Sequence, residues 1–117
     1  MLTSNSSSRP FSATFEDDGE TGYFYACDRS RPESPILDAV HIYNASQLAS
    51  RGEHSTAQII WSPDGLKAGL QINGHLHALL DFSARRAYCR TNFPPPSGAW
   101  AASAREPWCE QLSERLR

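Results

Sequence analysis

The stretch "AQIIWSPDGLKAGLQINGHLHALLDFSARRAYCRT", which runs from Ala57 to Thr91, decides the fold. It contains four runs rich in apolar residues, and short segments of Gly, Asn, Asp and Ser separate these runs. Alternation of apolar and polar residues within a run is typical of a half-buried strand, and turns this short join antiparallel neighbours. The stretch therefore predicts a four-stranded antiparallel meander.

The position of each turn predicts which residues face each other across the meander. We place a four-residue loop at 62–65, a three-residue loop with a bulge that includes His75, and a two-residue turn at 83–84. These loops keep the apolar residues of neighbouring strands on one face. The predicted pairs are Trp61 with Leu66, Ile59 with Ala68, Ala57 with Leu70, Ile72 with Leu76, Leu70 with Ala78, Ala68 with Leu80, Leu80 with Ala87, Ala78 with Cys89, and Asp81 with Arg86.

A hairpin is predicted upstream of the meander. The run "FSATFE" at 11–16 alternates with a period of two, and a second strand spans 20–27. Asp18 and Gly19 between them are a strong hairpin signal, because this dipeptide readily adopts the positive φ that a tight turn needs. The turn sets Phe15 opposite Gly22, so that the inward residues of the two strands meet.

The run "ILDAVHIYN" at 36–44 predicts a further strand, and it has apolar residues on both faces. Val40 and Ile42 lie on one face and Leu37 lies on the other, which indicates a central strand. Residues 1–10 are polar, serine-rich and aperiodic, and we expect them to be a disordered leader. Since 117 residues suffice for one hydrophobic core, residues 11–117 are predicted to form a single β-rich domain.

The C-terminal region predicts one helix. The triple proline at 94–96 ends the sheet, and Pro107 suits the first turn of a helix. Trp108, Leu112 and Leu116 then form one apolar stripe, which we expect to cover a face of the sheet with Trp100 nearby. The predicted fold is mainly β (α+β), an antiparallel meander sheet of about six to seven strands with one C-terminal helix.

Composition and missing motifs exclude several classes of function. The net charge is −2 and the basic residues are scattered, so nucleic acid is not an expected partner. Neither a membrane-spanning run nor a signal peptide is present, which predicts a cytoplasmic protein with no membrane contact. No phosphate-binding or nucleophile motif is found, so we expect no cofactor and lean against an enzyme. Cys27, Cys89 and Cys109 have no CxxC spacing and are predicted to be buried hydrophobic residues.

Several short motifs stand out along residues 11–93: FEDDG at 15–19, TGYFYA at 21–26, ILDA at 36–39, HIYN at 41–44, Trp61-Ser62, His77-Ala78 and Asp81-Phe82. Together these motifs resemble those of a small bacterial family of uncharacterised proteins. The resemblance implies a shared domain and carries no assigned activity.

Tyrosine residues supply the main functional prediction. Tyr23, Tyr25, Tyr43 and Tyr88 fall on strand faces opposite those assigned to the core, and tyrosine-rich surface is typical of protein interfaces. The alternative is that the C-terminal helix buries them. We therefore expect a non-enzymatic domain that binds another protein, as an accessory or immunity protein that masks a toxin does. Unpaired sheet edges would also allow a homodimer.

Histidine residues supply the alternative prediction, a zinc-dependent hydrolase. His75 and His77 would project from one face of a strand, and His41 would be the third ligand. Three histidines leave an open position on zinc for an activated water, with Asp81 as the general base or as a group that orients a ligand. The acids at 16–20 lack the spacing of a calcium loop, so they are interpreted as part of the hairpin turn.

Overall fold

The alternating runs form the strands of two antiparallel sheets. The computed structural model describes residues 1–17, 21–44, 57–90, 94, 98–100 and 106–116. The strands within these ranges are β1 (Leu2–Asn5), β2 (Phe11–Asp17), β3 (Thr21–Asp28), β4 (Ile36–Asn44), β5 (Ala57–Trp61), β6 (Lys67–Ile72), β7 (His75–Asp81) and β8 (Arg86–Cys89). Short 3₁₀ helices span Gly98–Trp100 and Glu110–Leu116. The mainly β class is confirmed, but the described ranges contain eight strands in two sheets in place of the predicted single sheet of six to seven strands.

Each sheet is a four-stranded meander, in the order β1-β2-β3-β4 and β5-β6-β7-β8. Residues from both sheets contribute to one hydrophobic core, and β4 lies against β8 and β7. The fully buried residues of this core include Ala13, Phe24, Ala26, Val40, Ala68, Leu70, Ala78, Leu80 and Cys89. Their alternation along each strand follows the predicted inward faces, because successive side chains of a strand point to opposite sides.

Two hairpins keep the predicted faces and shift in register by two residues. Phe15 lies opposite Phe24 and not Gly22, and Trp61 lies opposite Ala68 and not Leu66. A shift of two residues leaves the inward set unchanged, so the alternation of the sequence is compatible with both registers. The predicted turn at 18–19 lies outside the described residues.

Side chains of the β5–β6 loop explain why the second of these hairpins closes later than predicted. The Ser62 Oγ accepts a hydrogen bond from the Lys67 amide at 3.0 Å and donates to Asp64 Oδ1 at 2.6 Å. Asp64 Oδ1 also accepts from the Leu66 amide at 3.0 Å. These bonds extend the pairing to Ser62 and Lys67, so the loop proper contains residues 63–66.

The bulge of the β6–β7 hairpin lies at a different residue from the predicted one. Asn73 and Gly74 have φ values of 52° and 83°, so they form a two-residue turn and Ile72 lies opposite His75. The ladder shifts after Leu76, which makes His77 the extra residue. The predicted pairing of Ile72 with Leu76 is therefore wrong. The pairs of Leu70 with Ala78, Ala68 with Leu80, Leu80 with Ala87, Ala78 with Cys89, and Asp81 with Arg86 are confirmed.

Strand β4 has two irregularities that move its apolar residues. The ladder with β3 shifts at Leu37 and again at Ile42, so each is an extra residue in β4. A bulge interrupts alternation, and Leu37 therefore joins Val40 and Ile42 in the core. The prediction that Leu37 faces the opposite side is wrong for this reason.

The predicted disordered leader instead contains strand β1. Residues 2–5 pair with β2, where Leu2 lies opposite Phe15. Two serines of the N-terminal segment form hydrogen bonds with the β5–β6 hairpin. Trp61 Nε1 donates to Ser4 Oγ at 2.9 Å, and Ser6 Oγ donates to the Gly65 carbonyl at 3.0 Å. Low hydrophobicity did not prevent order here, because the segment is held by backbone and hydroxyl hydrogen bonds rather than by apolar burial.

The C-terminal helix begins at Glu110, later than the predicted Pro107. Leu112 is buried, and Trp108 and Leu116 are partly buried; together they pack on the outer face of the second sheet against Leu76, Leu79 and Tyr88. The three residues of the predicted stripe do pack together, but Trp108 precedes the helix, which is 3₁₀, and is not part of a helical stripe. Trp100 lies in the main core and not beside the helix. Neither helix in the described ranges has the length and apolarity that crossing a membrane would require.

Candidate functional site

The four candidate tyrosines lie in different environments. Tyr88 is 2% exposed on the outer face of the second sheet, where the Arg115 guanidinium lies 5.2 Å from its ring centroid and donates to its hydroxyl at 2.9 Å. The alternative prediction, that the C-terminal helix buries the tyrosines, therefore holds for Tyr88. Tyr23 and Tyr25 are half-buried on β3 of the first sheet. Tyr43 lies opposite Gly22, and its side chain is outside the described residues.

Aromatic rings line the outer face of the first sheet. The ring centroids of Tyr23 and Tyr25 are 6.4 Å apart, and the imidazole of His41 meets Tyr23 edge-on at 5.4 Å. The Tyr25 hydroxyl donates to Glu16 Oε1 at 3.4 Å. We call Glu16, Tyr23, Tyr25 and His41 the tyrosine face. Alternation places it on the side of the sheet opposite the core, because the intervening Phe24 is fully buried.

The charge around the tyrosine face is acidic. The strands β2, β3 and β4 contain no lysine or arginine. Glu16 lies opposite Tyr23 in the ladder and is the acidic side chain of this face. Such a face attracts cations and repels anionic surfaces.

The three candidate zinc ligands do not form a metal site. His41 lies on β4 of the first sheet, whereas His75 and His77 lie on β7 of the second. Within the described parts of the chain, no group of three His, Cys, Asp or Glu side chains is placed to hold a metal ion. The zinc prediction is wrong because it assumed a strand order that brings β4 beside the two histidines, and the sheet order places β6 and β8 there.

The side chain of Arg90 lies in the same cavity as His75 and His77. His75 and His77 line an open cavity of about 580 Å³ with Ile72, Asn73 and Arg90. The Arg90 guanidinium pairs with Glu110 at 2.7 Å and lies 4.9 Å from the Trp108 ring centroid. Hydrogen bonds from Arg90 are the main cause that lowers the pKa of Glu110. The charged contact beside the imidazoles is therefore an ion pair between Arg90 and Glu110.

Asp81, the predicted general base, has a structural role. It is 4% exposed, and its Oδ1 accepts hydrogen bonds from the Ser83 amide at 3.1 Å, the Ser83 hydroxyl at 2.6 Å and the Ala84 amide at 3.1 Å. These contacts build the β7–β8 turn, as Asp side chains commonly do. The predicted catalytic role of Asp81 has no support in this geometry.

A second candidate site, which the sequence reading missed, is a cavity of about 340 Å³ at one end of the core. We call it the aromatic cavity. Phe82 is central to its wall: its ring stacks on Phe11 with centroids 4.4 Å apart and meets Trp100 edge-on at 5.4 Å. Three charged residues also line it. The described residues that line it are Phe11, Asp28, Arg31, Leu37, Phe82, Arg85, Ala99 and Trp100.

Two turns place the arginines at this cavity. Asp28 accepts a hydrogen bond from the Ser30 amide through Oδ1 at 2.9 Å, and its carbonyl accepts from the Arg31 amide at 3.1 Å. Arg31 therefore ends a tight turn after β3. Arg85 ends the β7–β8 turn with φ at 56°, in the left-handed region. No motif could reveal this site, since the lining comes from residues far apart in the chain.

Comparison with known proteins identifies the family. The family model described as "Uncharacterized protein conserved in bacteria (DUF2251)" matches residues 1–117. The chain belongs to this family. The resemblance seen at 11–93 is thereby confirmed and extended to the whole chain.

One curated relative of this DUF2251 chain is an "Uncharacterized protein" from Haemophilus influenzae. It is 42% identical over 86 residues, which cover 74% of this chain and 53% of the relative. The match therefore spans about half the length of the relative. No solved structure matches the chain.

The three cysteines of this DUF2251 chain differ in burial. Cys89 is fully buried, as predicted, whereas Cys27 is half-buried and Cys109 is exposed. Burial raises the pKa of the Cys27 thiol, and a hydrogen bond with Ser12 partly opposes that effect. Neither burial nor the raised pKa suits Cys27 to nucleophilic chemistry.

Proposed function

We propose that this chain is a non-enzymatic domain that binds another protein through the tyrosine face. The observation that carries the proposal is the partial exposure of Tyr23 and Tyr25 beside each other on a sheet face opposite the core. Tyrosine rings supply apolar area together with a polar hydroxyl, and they are enriched at protein interfaces for that reason.

The proposed partner presents arginine or lysine to this face. Guanidinium or ammonium groups over partly exposed tyrosine rings contribute roughly 0.5–1 kcal/mol each, and Glu16 lies beside these rings, where it can pair with them. The absence of basic residues from β2, β3 and β4 supports this choice, because nothing on these strands repels a cationic surface. An accessory or immunity-type protein that masks a basic region of a toxin fits this chemistry.

A ¹⁵N NMR titration with a short arginine-rich peptide tests the chemistry of the face. We expect saturable shift changes at Tyr23, Tyr25 and the Glu16 amide, and we expect these changes to weaken as salt is added. A peptide with glutamate in place of arginine is the matched control and should cause no such changes. Equal shifts with both peptides, or shifts confined to other strands, would refute the proposed partner class.

Affinity capture from a lysate of the source bacterium then tests the partner itself. The bait proteins are the wild type, the Tyr23→Ala/Tyr25→Ala double variant, and Glu16→Lys. Glu114→Lys is the matched control, because it makes the same charge change at an exposed position on the C-terminal helix. We expect one basic partner, lost from the first two variants and kept by the control. Capture of only a second copy of this chain would show a homodimer instead.

A further inference from the structure

We propose that the aromatic cavity is a binding site for a small organic anion, in which a flat apolar ring carries a carboxylate. This inference goes beyond the proposed protein contact, and it rests on different residues. The cavity volume of about 340 Å³ lies within the range of natural ligand pockets and suits a molecule of about one ring.

The inner wall of the cavity is apolar and well packed. Phe82, Trp100 and Leu37 are 6%, 3% and 6% exposed, so their positions are fixed by the core. Trp100 stands at 77° to the Phe82 ring, and Phe11 stacks on Phe82 at 11°. Flat rings pack well against walls of this kind, because edge-to-face and offset-stacked contacts are the favoured arrangements of aromatic groups.

The charged part of the lining favours an anion. Arg31 and Arg85 are exposed, and within the described parts of the chain neither forms a salt bridge. Asp28 is the one carboxylate of the described lining, and its Oδ1 accepts from both the amide and the hydroxyl of Ser30. The described lining therefore has two positive side chains and one negative side chain, which favours a bound anion. A planar guanidinium can also form two parallel hydrogen bonds with a carboxylate.

The backbone of Arg85 supports a functional role for its side chain. Its φ of 56° lies where a side chain is disfavoured and where glycine fits without cost. Asn73, the other non-glycine residue with a positive φ among those described, belongs to a residue type that is enriched in this conformation. Residues held in strained backbone conformations cluster at binding sites, where the strained conformation places a side chain that the ligand contacts. Arg85 fits this pattern because it lines the cavity.

Binding of benzoate, followed by Trp fluorescence and ligand-observed NMR, tests the proposal. We expect saturable binding of benzoate that weakens with added salt. Benzyl alcohol lacks the charge and acetate lacks the ring, and each should bind at least about tenfold more weakly, which corresponds to about 1.4 kcal/mol. Tighter binding of phenyl phosphate than of benzoate would overturn the assignment to carboxylates. Equal binding of benzyl alcohol and benzoate would overturn the role of the arginines.

Arg85→Gly is the decisive variant. Glycine relieves the strained φ, so we expect a higher melting temperature together with at least a tenfold loss of benzoate affinity. Loss of binding cannot then be attributed to unfolding. Arg31→Gln should lose affinity similarly. Arg115→Gln, which removes an arginine charge on the C-terminal helix, should bind as the wild type does. Unchanged affinity in Arg85→Gly would refute the proposal.

Discussion

Gly65 offers a direct test of how the N-terminal segment packs. Its φ is +72°, and a Cβ atom at this position would lie 2.4 Å from Ser6 Oγ and 2.5 Å from Ser8 Oγ. Gly74 has a similar φ of +83°, yet a Cβ atom there would meet nothing within 4 Å. Gly74→Ala therefore isolates the backbone cost of a positive φ, whereas Gly65→Ala adds the contact with the two serines.

The expected losses follow from these two terms. An L-residue in the left-handed region costs roughly 1–2 kcal/mol, and we expect Gly74→Ala to lose this amount. In Gly65→Ala the Ser6 hydroxyl must also rotate away and give up its 3.0 Å hydrogen bond to the Gly65 carbonyl. Loss of one such bond costs about 0.5–1.5 kcal/mol. The total for Gly65→Ala is therefore about 1.5–3.5 kcal/mol.

Urea denaturation followed by Trp fluorescence measures both losses. The cycle is completed by Gly65→Ala in a Ser6→Ala/Ser8→Ala background, where the clashing hydroxyls are absent and the cost should fall to the Gly74→Ala value. Equal losses for the two glycine variants in the wild-type background would refute the reasoning. That result would mean that the serines of the N-terminal segment do not contact the β5–β6 loop.

Two other predictions concern ionisable side chains. With iodoacetamide at pH 8, we expect Cys109 to react first, Cys27 more slowly because burial raises its pKa, and Cys89 only in denaturant; equal rates for Cys27 and Cys109 would contradict this. Hydrogen bonds from the Ser62 hydroxyl and the Leu66 amide lower the pKa of Asp64 in the folded protein. The ionised carboxylate therefore stabilises the fold at pH values above its unfolded pKa of about 3.9. This stabilisation is lost as the pH falls through the lower pKa of the folded state. Asp64→Asn should therefore lower stability at pH 7 in urea melts, with a deficit that disappears in acid; a deficit independent of pH would exclude the charge as its cause.

The sequence predicted the faces of the strands better than their pairing. Burial depends on the parity of a residue along its strand, and parity survives a register shift of two, as at Phe15 and Trp61. The β7–β8 register was predicted correctly, since Asp81 lies opposite Arg86. Side-chain hydrogen bonds of Ser62 and Asp64 determined where the β5–β6 loop closes, and alternation contains no information about such bonds.

Bulges explain most of the remaining differences. An extra residue at His77 separates Leu76 from the inward series and turns it toward the C-terminal helix. Bulges at Leu37 and Ile42 likewise alter β4. A periodic pattern cannot locate an inserted residue when both faces of the strand are apolar, because either choice buries apolar groups. The zinc hypothesis failed for a related reason, since it required a strand order that periodicity does not contain.

The aromatic cavity lay beyond sequence reasoning because it depends on turns rather than on strands. Arg85 adjoins Arg86 in the chain, yet Arg86 pairs with Glu106 while Arg85 lines the cavity. Arg85 is the last residue of the turn and has a left-handed φ, whereas Arg86 begins β8. A glycine would make the same turn at lower cost and leave the cavity with one arginine. The gain in stability and the loss of anion binding in Arg85→Gly must therefore occur together if the strain serves binding, and a gain without a loss would leave the strain without a function.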